Sequence, residues 1–139
     1  MTRSHLLTII LESLPAQQVV DGDEPNHLIV VDDCRFQRYH WANLKSLKED
    51  VKTFESPEEF LAAVQKDPLV MKGAKGIITD YYFDGVSSYS GLEFAKVLRK
   101  MGYHRKVYLC SDGEFDEESF KSANVLKIPK IASSAVNYL

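Results

Sequence analysis

Leu28-Ile29-Val30-Val31-Asp32-Asp33 is a run of four aliphatic residues closed by two acids. An unbroken apolar run of that length suits a strand covered on both faces, because a half-exposed strand would alternate apolar with polar residues. The same texture returns further along. Gly76-Ile77-Ile78-Thr79 runs into Asp80, and Lys106-Val107-Tyr108-Leu109-Cys110 runs into Ser111-Asp112-Gly113. Val125 to Ile128 precedes Pro129-Lys130, and Val51 to Phe54 is a further β-prone segment. Five strands are expected, several of them ending in a polar side chain.

Helical segments separate these runs. Residues 35–48 read as helical. Ser56-Pro57-Glu58-Glu59 supplies an N-cap serine, a proline at the first helical position and a glutamate at the third, a capping box that opens a helix through Gln65. Ser90-Gly91-Leu92-Glu93 is a second capping box, after which Phe94, Val97, Leu98 and Met101 share one helical face until Gly102 stops it. A last helix is expected from Glu117 to Asn124. Strands and helices that alternate with short connections imply an α/β domain whose parallel sheet is covered on both faces. In the doubly wound order 2-1-3-4-5, the ligand site lies outside the carboxyl ends of the strands. Upstream, Leu7, Ile10, Leu11 and Leu14 fall at helical spacing before Pro15, and Asp21-Gly22-Asp23-Glu24-Pro25 is polar. Residues 1–26 therefore read as an N-terminal helix and linker, and 27–139 as the domain.

The composition limits what such a domain binds. A chain of 139 residues with a formal net charge of −3 has the length of one domain and no cationic footprint for nucleic acid or anionic lipid. At 45% hydrophobic and 27% charged residues it is too apolar to stay unfolded by charge repulsion. Cys34 and Cys110 lack the spacing of a zinc site or a disulfide framework, which fits a reducing cytoplasm. Glu12 ends the run Leu6 to Leu11 too early for a signal peptide, and no run approaches a membrane span. Lys72-Gly73-Ala74-Lys75-Gly76 contains GxxG, but in this order of elements it reads as a solvated loop and not as an RNA clamp. Walker and GxGxxG fingerprints are absent.

In that sheet order the acids Asp32, Asp33 and Asp80, the hydroxyl of Ser111 and the amine of Lys130 come from neighbouring strand ends. Taken singly, Asp32-Asp33 could be a strand stop that caps the next helix, and Asp80 a turn acid. Together they form a pocket in which three carboxylates repel one another until a cation neutralises them, and all-oxygen ligands suit Mg²⁺. A lysine and a hydroxyl beside such a cation suit a phosphoryl group, whose transfer depends on positioning and charge neutralisation.

Val30-Val31-Asp32-Asp33, Ile77-Ile78-Thr79-Asp80, Gly91-Leu92-Glu93 and Leu109-Cys110-Ser111 resemble the receiver domain of two-component response regulators. The resemblance spans about residues 27–139. It implies a flavodoxin-like fold in which Asp80 is the phosphoacceptor. By the same resemblance, Asp33 and Asp32 hold Mg²⁺ directly or through water, and Tyr82 offers its backbone carbonyl to the metal. Ser111 would bind a phosphoryl oxygen and Lys130 would pair with the phosphate. The implied donor is a phosphohistidine on a sensor histidine kinase or a histidine phosphotransfer protein, and the output goes through a downstream protein target or a homodimer. Such a chain is a cytoplasmic switch and not a metabolic enzyme.

The chain also departs from the family pattern. The loop from Tyr81 to Ser90 is longer and lacks the usual proline, and Pro129 precedes Lys130 where the family lysine is normally followed by proline, which keeps Lys127 as a competing candidate. Leu126 and Lys127 occupy the neighbourhood of the usual aromatic switch residue. Two other readings stay open. A Mg²⁺-dependent phosphohydrolase that uses an aspartyl phosphate would want a second acid two residues after Asp80, where Tyr82 stands. A degenerate receiver would only bind partners, a reading that the presence of Asp33, Asp80 and Lys130 argues against.

Overall fold

The computed structural model describes residues 25–83, 85–110, 117–130 and 135–139. The expected N-terminal helix, residues 2–14, lies outside them. The five strands are β1 (His27–Val31), β2 (Asp50–Phe54), β3 (Ala74–Asp80), β4 (Lys106–Cys110) and β5 (Val125–Ile128). The helices are α1 (Arg35–Ala42), α2 (Pro57–Lys66), α3 (Gly91–Lys100) and α4 (Glu117–Ala123), with a 3₁₀ turn over Val136–Tyr138. All strand pairs are parallel and the order is β2-β1-β3-β4-β5, the doubly wound arrangement read from the sequence.

The central strands carry the unbroken apolar runs. Every residue of β1 is buried, whereas β2 and β5 sit at the sheet edges and keep exposed positions. One face packs against α2, α3 and α4 through a cluster that includes Ile29, Ile77, Leu109, Phe60, Phe94 and Phe120. Phe60 lies edge-on to both Phe54 and Phe94, with ring centroids 5.3 and 5.6 Å apart, an arrangement that aligns positive ring edges with negative faces. The other face holds Val30, Ile78, Tyr108 and Ile128 with Trp41 of α1 and Ala135.

The helix starts follow the sequence closely. The Ser56 hydroxyl accepts from the Glu59 amide, and Ser90 with Glu93 closes a reciprocal capping box. Helix α1 is shorter than the 35–48 reading. The Asn43 amide donates to the carbonyls of Tyr39 and His40 while its side-chain nitrogen donates to Tyr39 O at 2.8 Å, so the last turn is tied off there. Leu44 and Leu47 then pack on the α1-side cluster from irregular chain. A single helical turn, Leu69–Lys72, joins α2 to β3, and β3 begins at Ala74, before the glycine that opened the sequence reading. At the far end of the sheet from the acids, Arg99 donates to the carbonyls of Ala123, Tyr103 and Asn124, which fastens the ends of α3 and α4 together.

Candidate functional site

Register brings the acids together. Val31 lies opposite Thr79 and Asp80 opposite Cys110, so Asp32, one residue past β1, stands beside the end of β3. The Asp32 amide donates to Phe54 O at 3.0 Å, which continues the contact with the β2 edge beyond the strand itself. Its carboxylate Oδ1 accepts from the Cys34 amide at 2.8 Å, turning the chain into α1, and Arg38 Nη1 donates to its carbonyl at 2.8 Å. Asp32 is thus held at three points. At the end of β3, Asp80 Oδ1 accepts from the Tyr81 amide at 2.9 Å.

One carboxylate oxygen from each of Asp32, Asp33 and Asp80 lies within 4.8 Å of the others. Asp32 and Asp80 are buried and Asp33 is half-buried. Burial, the main cause, pushes Asp80 up to about 7, with the charges of Asp32 and Asp33 adding to it against the pull of Lys130 and the Tyr81 amide. Asp32 rises to about 6, chiefly by burial and then by the charge of Asp33, while the Cys34 amide, Lys130 and Arg38 pull it down. Carboxylates crowded in this way gain from a cation between them. The donor set is three carboxylates, hard oxygen ligands at strand ends, and it fits Mg²⁺.

Lys130 Nζ lies 3.9 Å from Asp80 Oδ2. Lys127 sits within β5 opposite Leu109, with its side chain exposed, so the two lysines occupy different parts of the edge strand and its exit. Tyr82 is two residues beyond Asp80; its side chain is 64% exposed and its ring stands edge-on to Tyr81, with centroids 4.5 Å apart. Ser111 lies outside the described residues. Arg38 was not among the residues singled out from the sequence. Its bond is to a backbone carbonyl, and the one available signal was a basic residue on α1 six positions after the first acid.

The long loop after Asp80 is anchored. Gly91 N donates to Tyr81 O at 2.7 Å, which closes the loop's base. Phe83 and Tyr89 are buried in the core, the Ser87 hydroxyl donates to the carboxylate of Glu58 in the first turn of α2, and Tyr89 N donates to Ser87 Oγ at 3.0 Å. Phe83, Ser87 and Tyr89 thus tie the described part of the loop to the core and to the start of α2, while Gly85, Val86 and Ser88 stay exposed.

No family model and no curated protein matches the chain. Among solved structures, the Vibrio cholerae chemotaxis protein CheY4 is similar, with a TM-score of 0.64 and 20% sequence identity over 81% of this chain and 94% of that one. At that identity the likeness is one of fold, the five-stranded flavodoxin-like sheet with flanking helices. Among the described residues, no helix is long and apolar enough to cross a membrane.

Proposed function

We propose that the chain is a receiver domain, a switch that takes a phosphoryl group onto Asp80 and changes the protein surface it presents. The observation that carries this reading is the convergence of three carboxylates within 4.8 Å, with a lysine ammonium 3.9 Å from Asp80, at the carboxyl edge of a doubly wound parallel sheet. A Mg²⁺ ion held by Asp32, Asp33 and Asp80 would neutralise charge on the phosphoryl oxygens. One Asp80 oxygen attacks the phosphorus of a phosphohistidine. An O–P bond forms, the N–P bond breaks, and the imidazole keeps the electron pair and takes a proton from solvent. Lys130 supplies positive charge beside the new phosphate. Ser111 and the Tyr82 carbonyl complete the set assigned by resemblance. The donor would be a sensor histidine kinase or a histidine phosphotransfer protein in the cytoplasm, and the output a downstream protein or a second copy.

Intact mass after incubation with a small-molecule phosphodonor and Mg²⁺ tests the reading. One phosphoryl group is expected on the wild type and none on Asp80→Asn; labelling of that variant at the wild-type level would sink the assignment. Lys130→Ala is expected to impair the response and Lys127→Ala to leave it intact. The reverse pattern would move the phosphate partner to Lys127.

The lifetime of the phosphoryl group depends on how water reaches phosphorus. The side chain two positions past Asp80 is placed to screen that approach, and a tyrosine there brings bulk and little basicity. Its exposure leaves the ring on the solvent side. Slow self-dephosphorylation is expected, and Tyr82→Asn is expected to shorten the lifetime severalfold. Equal lifetimes would leave Tyr82 without a shielding role.

A further inference from the structure

The net charge of −3 averages two unlike ends of the domain. Asp32, Asp33 and Asp80 stand at the carboxyl edge of the sheet, with Glu58 and Glu93 in the first turns of the helices that start there. At the amino edge the balance reverses. Residues 66–75, which lead into β3, hold Lys66, Lys72 and Lys75 against one acid, Asp67. Residues 99–106, which lead into β4, hold Arg99, Lys100, Arg105 and Lys106 and no acid. The fold clips these two segments together. Arg105 Nη1 donates to Lys72 O at 2.6 Å and to Ala74 O at 3.3 Å, and Arg99 Nη1 donates to Arg105 O at 2.6 Å. Among the described residues, the partners of both arginines are carbonyl oxygens, which hold a guanidinium in place and leave its charge uncancelled.

Helix dipoles explain part of this. Lys66, Arg99 and Lys100 lie in last turns, where each helix end carries about half a negative charge. Lys75, Arg105 and Lys106 are exposed and lie on strand starts or loop, beyond that account. Lys75 is paired with Glu49 at 2.8 Å, which leaves Arg105 and Lys106 with Lys100 as the centre of the patch. Asp21, Asp23 and Glu24, upstream of Pro25 and outside the described residues, bring three charges against seven. Leu69 is the large apolar side chain exposed within these two segments, at 48%. Nucleic acid suits this end poorly. The helix N-termini that cradle phosphates lie at the opposite edge, and neither segment exposes a Phe, Tyr or Trp on which a base could stack. A charged plane suits it well, because only one end of the molecule meets a plane. The acidic edge, a strand of seven residues or about 23 Å away, lies well beyond the screening length of about 8 Å.

We propose that the amino-edge surface around Lys100, Arg105 and Lys106 docks the domain peripherally on an anionic phospholipid membrane, with Leu69 entering the headgroup layer. The proposal is independent of the phosphoryl reading and leaves the acidic edge facing solution. Co-sedimentation of the full chain with vesicles tests it, using phosphatidylcholine alone or with about 30% phosphatidylglycerol. Binding is expected on the mixed vesicles only, and it should weaken at least tenfold between about 0.05 and 0.3 M salt. Lys100→Glu with Lys106→Glu is expected to weaken it more than about tenfold, since each cation near such a surface is worth about a factor of five. Lys52→Glu with Lys96→Glu, the same change of net charge at exposed positions on β2 and mid-α3, is expected to cost less than about threefold. All four lysines are exposed, and the melting midpoint of each variant checks that it is folded. No binding to the mixed vesicles, equal binding to neutral ones, equal losses in the two variants, or tighter binding to duplex DNA or polyglutamate than to the vesicles would each overturn the proposal.

Discussion

In metal-free buffer at pH 7.5, Asp80→Asn is expected to melt about 10 °C above the wild-type protein. The reason is linkage. The Asp80 carboxyl is raised from 3.8 to about 7, first by burial and then by the charge of Asp32. A carboxyl raised by folding holds its proton more tightly in the folded state than in the unfolded one, so stability is lost as pH climbs from about 4 to about 7. About three pKa units correspond to about 4 kcal/mol above that window, and about 3 °C per kcal/mol converts this for a domain of this length. Asparagine keeps the shape and removes the charge. The pH profile of the variant should be flatter, and the two proteins should converge near pH 4. Mg²⁺ should raise the midpoint of the wild type at pH 7.5 and do little for the variant. Equal midpoints at pH 7.5, or wild-type stability that rises between pH 5 and 7.5, would mean that the cluster does not carry its charge in this way.

The same burial explains why the fold was legible in the sequence. Leu28 to Val31 and Ile77 to Ile78 are covered on both faces, so their residues had to be apolar without interruption, and the acids that follow mark where cover stops. Ser56 and Ser90 announce α2 and α3 because their caps are local, made within three residues. What stayed hidden is short or non-local. Leu69–Lys72 is one turn, too brief for a helical period to show. The early end of α1 depends on the side chain of Asn43 folding back on Tyr39 O, which competes with a residue pattern that could have continued the helix. Arg38 reaches a carbonyl that comes within range only after the chain has turned at Asp32. The different surroundings of Lys127 and Lys130 are non-local as well. A residue opposite Leu109 stays in the strand, whereas Lys130, past Ile128, reaches Asp80.

Gly91→Ala is expected to cost about 3 kcal/mol or more and to impair phosphoryl labelling along with stability. Gly91 is the first residue of α3, and a Cβ there would lie 2.2 Å from the carbonyl oxygen of Asp80, 2.6 Å from Leu109 Cδ2 and 2.9 Å from Tyr81 Cα. The leucine tip could swing aside. The two backbone atoms cannot, because Asp80 is paired with Cys110 across the sheet and Tyr81 O accepts from the Gly91 amide at 2.7 Å. Glycine is required here for space and not for an unusual backbone angle, since Gly91 does not have the positive φ that Gly85 and Gly102 have. Relief must come either from lifting the start of α3, which breaks the Gly91 to Tyr81 bond, or from pushing the end of β3. The second route moves Asp80, the proposed phosphoacceptor. Urea unfolding at pH 7.5 measures the first effect, and mass labelling at a temperature where the variant is folded measures the second. A variant with wild-type stability would show that the helix start can lift without cost. A destabilised variant that still labels at the wild-type rate would show that the strain goes into α3 and leaves the position of Asp80 unchanged.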